Sequence, residues 1–318
     1  MTTTDRDTVT YQDVVKRSPD LLLPATSREC APAYWEAVLD GEEIARDTDV
    51  TILGLARNTM PWLTINTARI ESLGNQFRSW RAFVYENDST DGTQHELQAW
   101  SERCPQVEHQ CSTHNRPQLS TEKSKRRTDA LAEYRQACLE WARSHRPAGD
   151  TRHRIIVIDL DTWGGWSAHG VMSGLAWMNR LADAAGLASV STIEYPSDLD
   201  PSGKITIHYD AWAFRLNHWT EQHDMGWFHG WLPPVGSEPV RCCSAFGGMA
   251  IYQPEAFFAG TYSGGDCEHV NFHRSIYDET GMSMYLNPGQ RLVMNWIPQG
   301  AATDGRQHGN HLDAGVSG

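Results

Sequence analysis

The sequence predicts an α/β fold with a mixed central sheet, and three observations carry that expectation. In the run Ile155-Ile156-Val157-Ile158-Asp159-Leu160, five of the six residues are apolar and four of them β-branched, without alternation, the pattern of a strand buried on both faces. Residues 50–56 (VTILGLA) and 80–85 (WRAFVY) repeat that pattern earlier in the chain. Each run then gives way to a polar loop and a stretch with helical spacing, the alternation that builds a sheet covered by helices. Residues 46–298 are expected to form one domain, preceded by an N-terminal arm (1–45) and followed by a flexible tail or active-site lid (299–318).

After the first strand, Pro61 opens a helix that is expected to run to about Phe77, since the first turn needs no N–H from that position. The second strand leads through residues 86–93 (ENDSTDGT) into a helical pattern at 95–100, and a short strand is expected at 107–111. Ala130, Leu131, Tyr134, Ala137, Cys138 and Trp141 recur at three- and four-residue spacing, predicting a long helix over 123–145. Residues 168–185 carry a similar stripe through Val171, Leu175, Met178, Leu181 and Ala185. Residues 205–209 read as a strand, the apolar stretch after Gly247-Gly248 as another, and the segment from Gly264-Gly265 as the approach to a helix.

The 318 residues contain 40 acidic and 27 basic side chains, a formal charge of −13, which argues against a general nucleic-acid surface. No apolar run reaches 18 residues, and the start MTTTDRDTVTYQD lacks the charged and apolar regions of a signal peptide, so a cytoplasmic protein without a membrane span is expected. Seven cysteines form no CxxC pair, predicting reduced thiols and no structural zinc.

The residues that carry chemistry fall at strand ends. Asp159 and Asp161 close the most apolar strand ahead of Gly164-Gly165. Hard carboxylates there suit Mg2+ or Mn2+, with one group left for a sugar or ribose hydroxyl. In the second strand-end loop, Glu86, Asn87, Asp88 and Asp91 offer hydrogen bonds to a nucleobase and ribose, or serve as ordinary helix caps. Lys123, Lys125, Arg126 and Arg127 front the long helix, and Arg127 is the candidate for neutralising a diphosphate; a solvated charged turn is the alternative. Within WTEQHDMGWFHGW (219–231), His223, Trp227 and Trp231 are candidates for stacking on and bonding a sugar, or for a packed surface loop; the HExxH zinc spacing is absent. Gly247-Gly248 permits close backbone approach. Asp266 is expected to cap a helix or join Glu268 in acid/base work, and His269 or His273 is the candidate nitrogen ligand to a metal.

The segments ILGLARN, VYENDSTDGT, RRTDALAEYR, VIDLD-x-x-GG, YDAWAFR, AFGGMAIY and GGDCEHV occur in this order. Through them, residues 50–290 resemble the GT-A nucleotide-sugar glycosyltransferases, nearest the fungal capsule-associated mannosyltransferase-like family and its bacterial relatives. The resemblance implies a donor-nucleotide half (46–165) and an acceptor half (166–298). Arg57 and the 86–91 loop would face the nucleotide, Arg127 its phosphates, and Asp161 with Asp159 the donor and its Mn2+ or Mg2+. Arg215, Gly247 and Gly248 would contact phosphate or the transferred sugar, and Glu268 or Asp266 the reacting hydroxyl. Trp163 and Trp166 depart from the family pattern and are assigned with His223, Trp227 and Trp231 to the acceptor.

The implied reaction moves a monosaccharide from an NDP-sugar, GDP-mannose or a UDP-sugar, to a carbohydrate or other small hydroxylated acceptor, with retention favoured. A metal-dependent NDP-sugar hydrolase and a noncatalytic carbohydrate- or nucleotide-binding module use the same residues and stand as alternatives.

Overall fold

The computed structural model describes residues 25–119, 124–147, 152–197, 201, 203–217, 219 and 226–295. The elements in chain order are α1 (Ala31–Arg46), β1 (Thr48–Ala56), α2 (Trp62–Gly74), β2 (Ser79–Asn87), α3 (Thr93–Arg103), β3 (Val107–Ser112), α4 (Lys125–Ser144), β4 (Arg152–Asp159), β5 (Gly165–Trp166), α5 (Ala168–Arg180), β6 (Ala184–Pro196), β7 (Lys204–His208), α6 (Gly226–His229), β8 (Val240–Cys242), β9 (Met249–Tyr252), α7 (Pro254–Ala259), α8 (Glu268–Thr280) and β10 (Ser283–Asn295). Among the described residues they build one ten-stranded sheet in the order β3-β2-β1-β4-β9-β6-β10-β5, with β7 on β6 and β8 on β10.

The first four strands of that order are mutually parallel. Antiparallel β9 then separates β4 from β6, and β10 runs parallel to β6, so the fold is Rossmann-like with a mixed sheet. The alternate residues of β4 face opposite layers. Ile155 and Val157 pack with Leu139 of α4, Phe257 of α7 and Phe272 of α8. Ile156 and Ile158 pack with Leu63 of α2, Leu97 of α3 and Met172 of α5. Burying such aliphatic side chains contributes about 1.5–3 kcal/mol each, and the unbroken β-branched run makes β4 a central strand.

The topology places the site. The chain moves outward from β1 through β2 to β3, covered on one layer by α2 and α3, then crosses back through α4 on the other layer to lay β4 on the opposite side of β1. The connections therefore part in opposite directions at the carboxyl ends of β1 and β4, leaving the crevice where ligands bind in open α/β sheets.

Three expectations are corrected. Within the expected arm, residues 31–46 form α1, which buries Tyr34, Ala37, Val38, Gly41 and Ala45. It lies so close to α5 that a Cβ on Gly41 would stand 1.8 Å from the carbonyl oxygen of Met172. The stripe expected to be helical through Ala185 ends at Arg180, and Ala184 and Ala185 begin the inner strand β6. Strand β10, thirteen residues long, was not expected at all. The expected tail, 299–318, lies outside the described residues. Among those described, no helix is long and apolar enough to cross a membrane.

Candidate functional site

At the carboxyl edge of the parallel strands, Leu55 of β1 pairs with Tyr85 of β2 and with Asp159 of β4, while Ala56 pairs with Glu86. The two acidic segments thus end within one residue of the same level, as their sequence positions suggest. Leu160 is buried between two half-exposed aspartates, so Asp159 and Asp161 stand on either side of an anchored residue. The N–H of Asp159 donates to the carbonyl of Gly248 at 2.8 Å, which brings the Gly247-Gly248 segment against the acidic pair. Gly247 has φ of 64° and would place a Cβ 2.1 Å from the carbonyl oxygen of Ser189, so both its conformation and its space exclude a side chain.

A buried ion network stands behind the pair. Arg135 Nη2 donates to Asp159 Oδ1 at 2.9 Å, and its Nε donates to Glu268 Oε1 at 3.2 Å. Its guanidinium also lies 5.0 Å from the centre of the Phe246 ring, on which His269 stacks at 3.6 Å. Burial opposes the charge of Arg135, yet Asp159 and Glu268 together raise its pKa above the ordinary arginine value. Local sequence patterning points to Arg127, eight residues earlier, and not to Arg135. A signal did exist: Thr128, Ala132, Arg135, Leu139 and Ala142 form the buried stripe of α4, and an arginine in such a stripe requires a buried partner.

Asp210 is the second residue that sequence reasoning passed over. It has φ of 57°, unusual for a residue with a side chain, and its Oδ2 accepts the Gly247 N–H at 2.8 Å. Withdrawal from water, joined by Asp159 and Glu268, pushes its pKa up to about 7. The neighbouring Tyr209 is held above the usual phenol value by burial, then by Asp210, Asp161 and Asp159, with Arg127 opposing them. Arg127 lies 5.0 Å from the centre of the Trp212 ring. The basic and acidic groups, 34 residues apart in Arg127 and Asp161, therefore bear on one phenol.

The raised pKa of Asp210 has a consequence for stability. Unfolded, the carboxyl titrates near about 3.9; folded, it holds its proton to about 7. Its contribution is fully present below about pH 4 and is lost as pH rises through about 7. Asp210→Asn keeps an acceptor for Gly247 and removes the titration, so its stability relative to the parent protein should climb between pH 5 and pH 8 in urea unfolding. Parallel pH curves for the two proteins would sink this assignment.

The loop that follows β2 is extensively cross-linked. Asp88 accepts the main-chain N–H groups of His114 and Asn115 at 2.8 Å and of Arg116 at 3.3 Å, and Asn87 Nδ2 at 3.1 Å. Burial works against its charge, but these donors lower its pKa to about 2. Arg57 donates to the carbonyls of Arg116 and Pro117 and lies 4.0 Å from Asp88. Buried Glu86 accepts the Ser89 N–H at 2.8 Å. Arg57 and Asp88 thus fasten residues 114–117 beside the strand ends.

Asp91 turns both oxygens inward, to the N–H of Met60 at 2.9 Å and to the N–H and hydroxyl of Thr93 at 3.1 and 2.7 Å. Asp91→Ala should therefore cost about 1 kcal/mol, as loss of a helix-entry cap does, with the loss seen in unfolding rather than in nucleotide titration. Unchanged stability accompanied by weaker nucleotide binding would return Asp91 to the binding surface.

The late acidic segment is arranged differently from expectation. Asp266 does not cap α8, whose N-cap is Cys267 without a side-chain bond. It accepts instead from Arg215 Nη2 at 3.0 and 2.8 Å, while Arg215 Nη1 donates to the carbonyls of Trp212 and Phe214. Arg215 is 2% exposed, so its guanidinium fastens a loop rather than meeting phosphate or sugar. His273 is corrected as a metal ligand: its ring nitrogens bond Ser244 Oγ at 2.8 Å and Tyr252 OH at 2.9 Å, and burial lowers its pKa to about 3, keeping it neutral. His269 is also buried, with Nε2 3.7 Å from Glu268 Oε1.

Of the expected acceptor residues, Trp166 is 2% exposed in β5, paired with Leu292, and belongs to the core. Trp163 stacks on Trp62 at 4.8 Å. Trp227, 53% exposed, and half-buried Trp231 join Phe214 and Phe228 in an aromatic cluster. His223 lies outside the described residues. Among those described, no group of three or more His, Cys, Asp or Glu side chains is gathered for a metal ion.

Fold and site together define a Rossmann-like α/β protein whose acidic strand-end pair is backed by a buried arginine and floored by glycines. No family model matches the chain, and no curated protein matches it in sequence. Among solved structures it is similar to the mannosyltransferase PcManGT from Pyrobaculum calidifontis in complex with GDP-Man and Mn2+, at 14% identity over 86% of this chain and 68% of that one, with a TM-score of 0.43. It is similar to GalNAc-T7 with UDP, GalNAc and Mn2+ at 11% identity and TM-score 0.47; the match covers 87% of this chain but 54% of that one. Glucosyl-3-phosphoglycerate synthase from Mycobacterium tuberculosis, in complex with UDP, is matched at 13% identity over 81% of this chain and 74% of that chain, with a TM-score of 0.44. None of these likenesses assigns a ligand or a reaction to this chain.

Proposed function

We propose that the protein is a GT-A-type glycosyltransferase that moves a monosaccharide from an NDP-sugar to a hydroxyl group of a carbohydrate or other small acceptor, with the cytoplasm as its compartment. The observation that carries this is the meeting of Asp159, Arg135, Glu268, Asp210 and the Gly247-Gly248 floor at the carboxyl edge of β4. Two half-exposed carboxylates fit Mn2+ or Mg2+ shared with a diphosphate, because such ions keep much of their coordination for phosphate oxygens and water. Asp161, with Asp159 beside it, would hold the ion, which supplies positive charge against the departing diphosphate.

The chain's own residues do the rest. Arg127 adds positive charge where the diphosphate departs. Arg135 and Glu268 hold Asp159 in place from behind. Asp210, part protonated near neutral pH, can give as well as accept a hydrogen bond with a hydroxyl of the donor sugar. Exposed Trp227 offers an aromatic face to an acceptor sugar. Retention is favoured over an inverting displacement because Glu268 and Asp266, the carboxylates assigned to deprotonate the acceptor, are each paired with a buried arginine.

Incubating GDP-mannose and a panel of UDP-sugars with the protein and simple saccharides, in Mn2+ and in EDTA, tests this by mass spectrometry. Released NDP with a glycosylated acceptor, seen in Mn2+ alone, is the expected result. Free sugar without a glycosylated acceptor would make the protein a hydrolase, and no donor turnover would leave a binding module.

A further inference from the structure

Helix α2 buries Leu63, Asn66, Thr67, Ile70 and Leu73 on one face. An amide in such a stripe is costly unless its hydrogen bonds are made. Asn66 is 0% exposed, and its Nδ2 donates to the carbonyl oxygens of Leu160 and Thr162, each at 2.9 Å. Those carbonyls bracket Asp161. The Oδ1 of Asn66 accepts from Arg69 Nη1 at 2.8 Å, and the same nitrogen reaches the carbonyl of Trp163 at 3.4 Å.

The amide has one workable orientation. Both hydrogens of Nδ2 are directed to carbonyls and Oδ1 faces a guanidinium; turning the group over would set oxygen against two oxygens and a donor against a donor. The far end of the loop rests on the same arginine, since a Cβ on Gly165 would stand 2.4 Å from Arg69 Nη1. Three carbonyls, those of residues 160, 162 and 163, are therefore bound from a single helix, while Asp161 occupies the turn between them.

We infer that Asn66, oriented by Arg69, is a positioning residue that sets the direction of the Asp161 carboxylate and thereby the affinity of the site for a metal-bound nucleoside diphosphate. This rests on the proposed role of Asp161. Asn66 touches neither ion nor substrate; it acts through the main chain that carries the aspartate.

Asn66→Asp keeps the size of the side chain and replaces its donor with an acceptor. Titration of the folded variant with GDP and with UDP, each in Mn2+ and in EDTA, should show the Mn2+-linked affinity reduced about 10- to 100-fold, the usual effect of losing a partner that orients a metal ligand. Affinity in EDTA should stay at the parent value. If Asn66→Asp does not fold, Arg69→Met decides, because it removes the partner of Oδ1 and should give a smaller loss of the same kind. Parent-like Mn2+-linked affinity overturns the inference, as does an equal loss with and without Mn2+, which marks a purely structural role. Asp161→Asn in the same titration separates the two ideas. If it loses Mn2+-linked affinity while Asn66→Asp keeps it, the inference alone fails; if the parent shows no Mn2+-linked binding, or Asp161→Asn retains it, the metal role fails and the inference with it.

Discussion

Arg135→Met should lower stability by about 3–5 kcal/mol, the cost of removing one partner from a buried ion pair, or roughly 10 °C in the unfolding midpoint for a chain of this size. The arginine and Glu268 side chains are 7% and 5% exposed, so water cannot replace the lost charge. Methionine fills much of the volume, which separates the electrostatic cost from a cavity. Adding Glu268→Gln removes the stranded carboxylate, and the double variant should recover part of the loss. A double variant no more stable than Arg135→Met would show that Glu268 does not depend on Arg135, and an unchanged midpoint for Arg135→Met would contradict the network itself.

Asp161→Asn is expected to leave the fold intact and reduce glycosyl transfer by about 10²–10³-fold, the scale of removing one stabiliser of transition-state charge. Asparagine preserves the shape of the side chain, and the loop remains anchored by Leu160 and by the carbonyl bonds to Asn66. The neutral amide is a poor ligand for a hard cation. Transfer rates and thermal midpoints measured on the same preparation check both halves. Parent-like transfer with a parent-like midpoint would make Asp161 a surface turn residue.

Sequence periodicity located the strands whose patterns are local. β1, β2 and β4 were legible because β-branched and apolar residues run without alternation where both faces are covered. The helical stripe expected to reach Ala185 overlaps the first two residues of β6, and Ala184, Ala185, Gly186 and Ala188 lack the bulk typical of strands; these small side chains lie beneath closely packed neighbours. In β10, Asn287-Pro288-Gly289 has the composition of a turn and interrupts the apolar pattern that marks a strand. The structure instead passes it as an irregularity, with the register against β6 shifting between Asn287 and Arg291.

The same division applies to the site. Asp159 and Asp161 were visible because a strand ends on them, and Gly247 because a glycine pair precedes an apolar run. Arg135, Asp210 and the Arg215–Asp266 pair depend on contacts across 24 to 133 residues, which no local spacing encodes. The strand-end loop shows the converse problem. Asp88 and Asp91 have the residue types of a ligand site, but much of their hydrogen-bonding capacity goes to the protein's own main chain.

If the proposed function holds, Asp161 meets a divalent ion shared with a nucleoside diphosphate. Anomalous scattering from a crystal grown with Mn2+ and the nucleotide of the turned-over donor tests it most directly. A manganese peak is expected within coordination distance of the Asp161 carboxylate and of the diphosphate oxygens. A bound nucleotide whose diphosphate lies away from Asp161, with no manganese at that carboxylate, would contradict it.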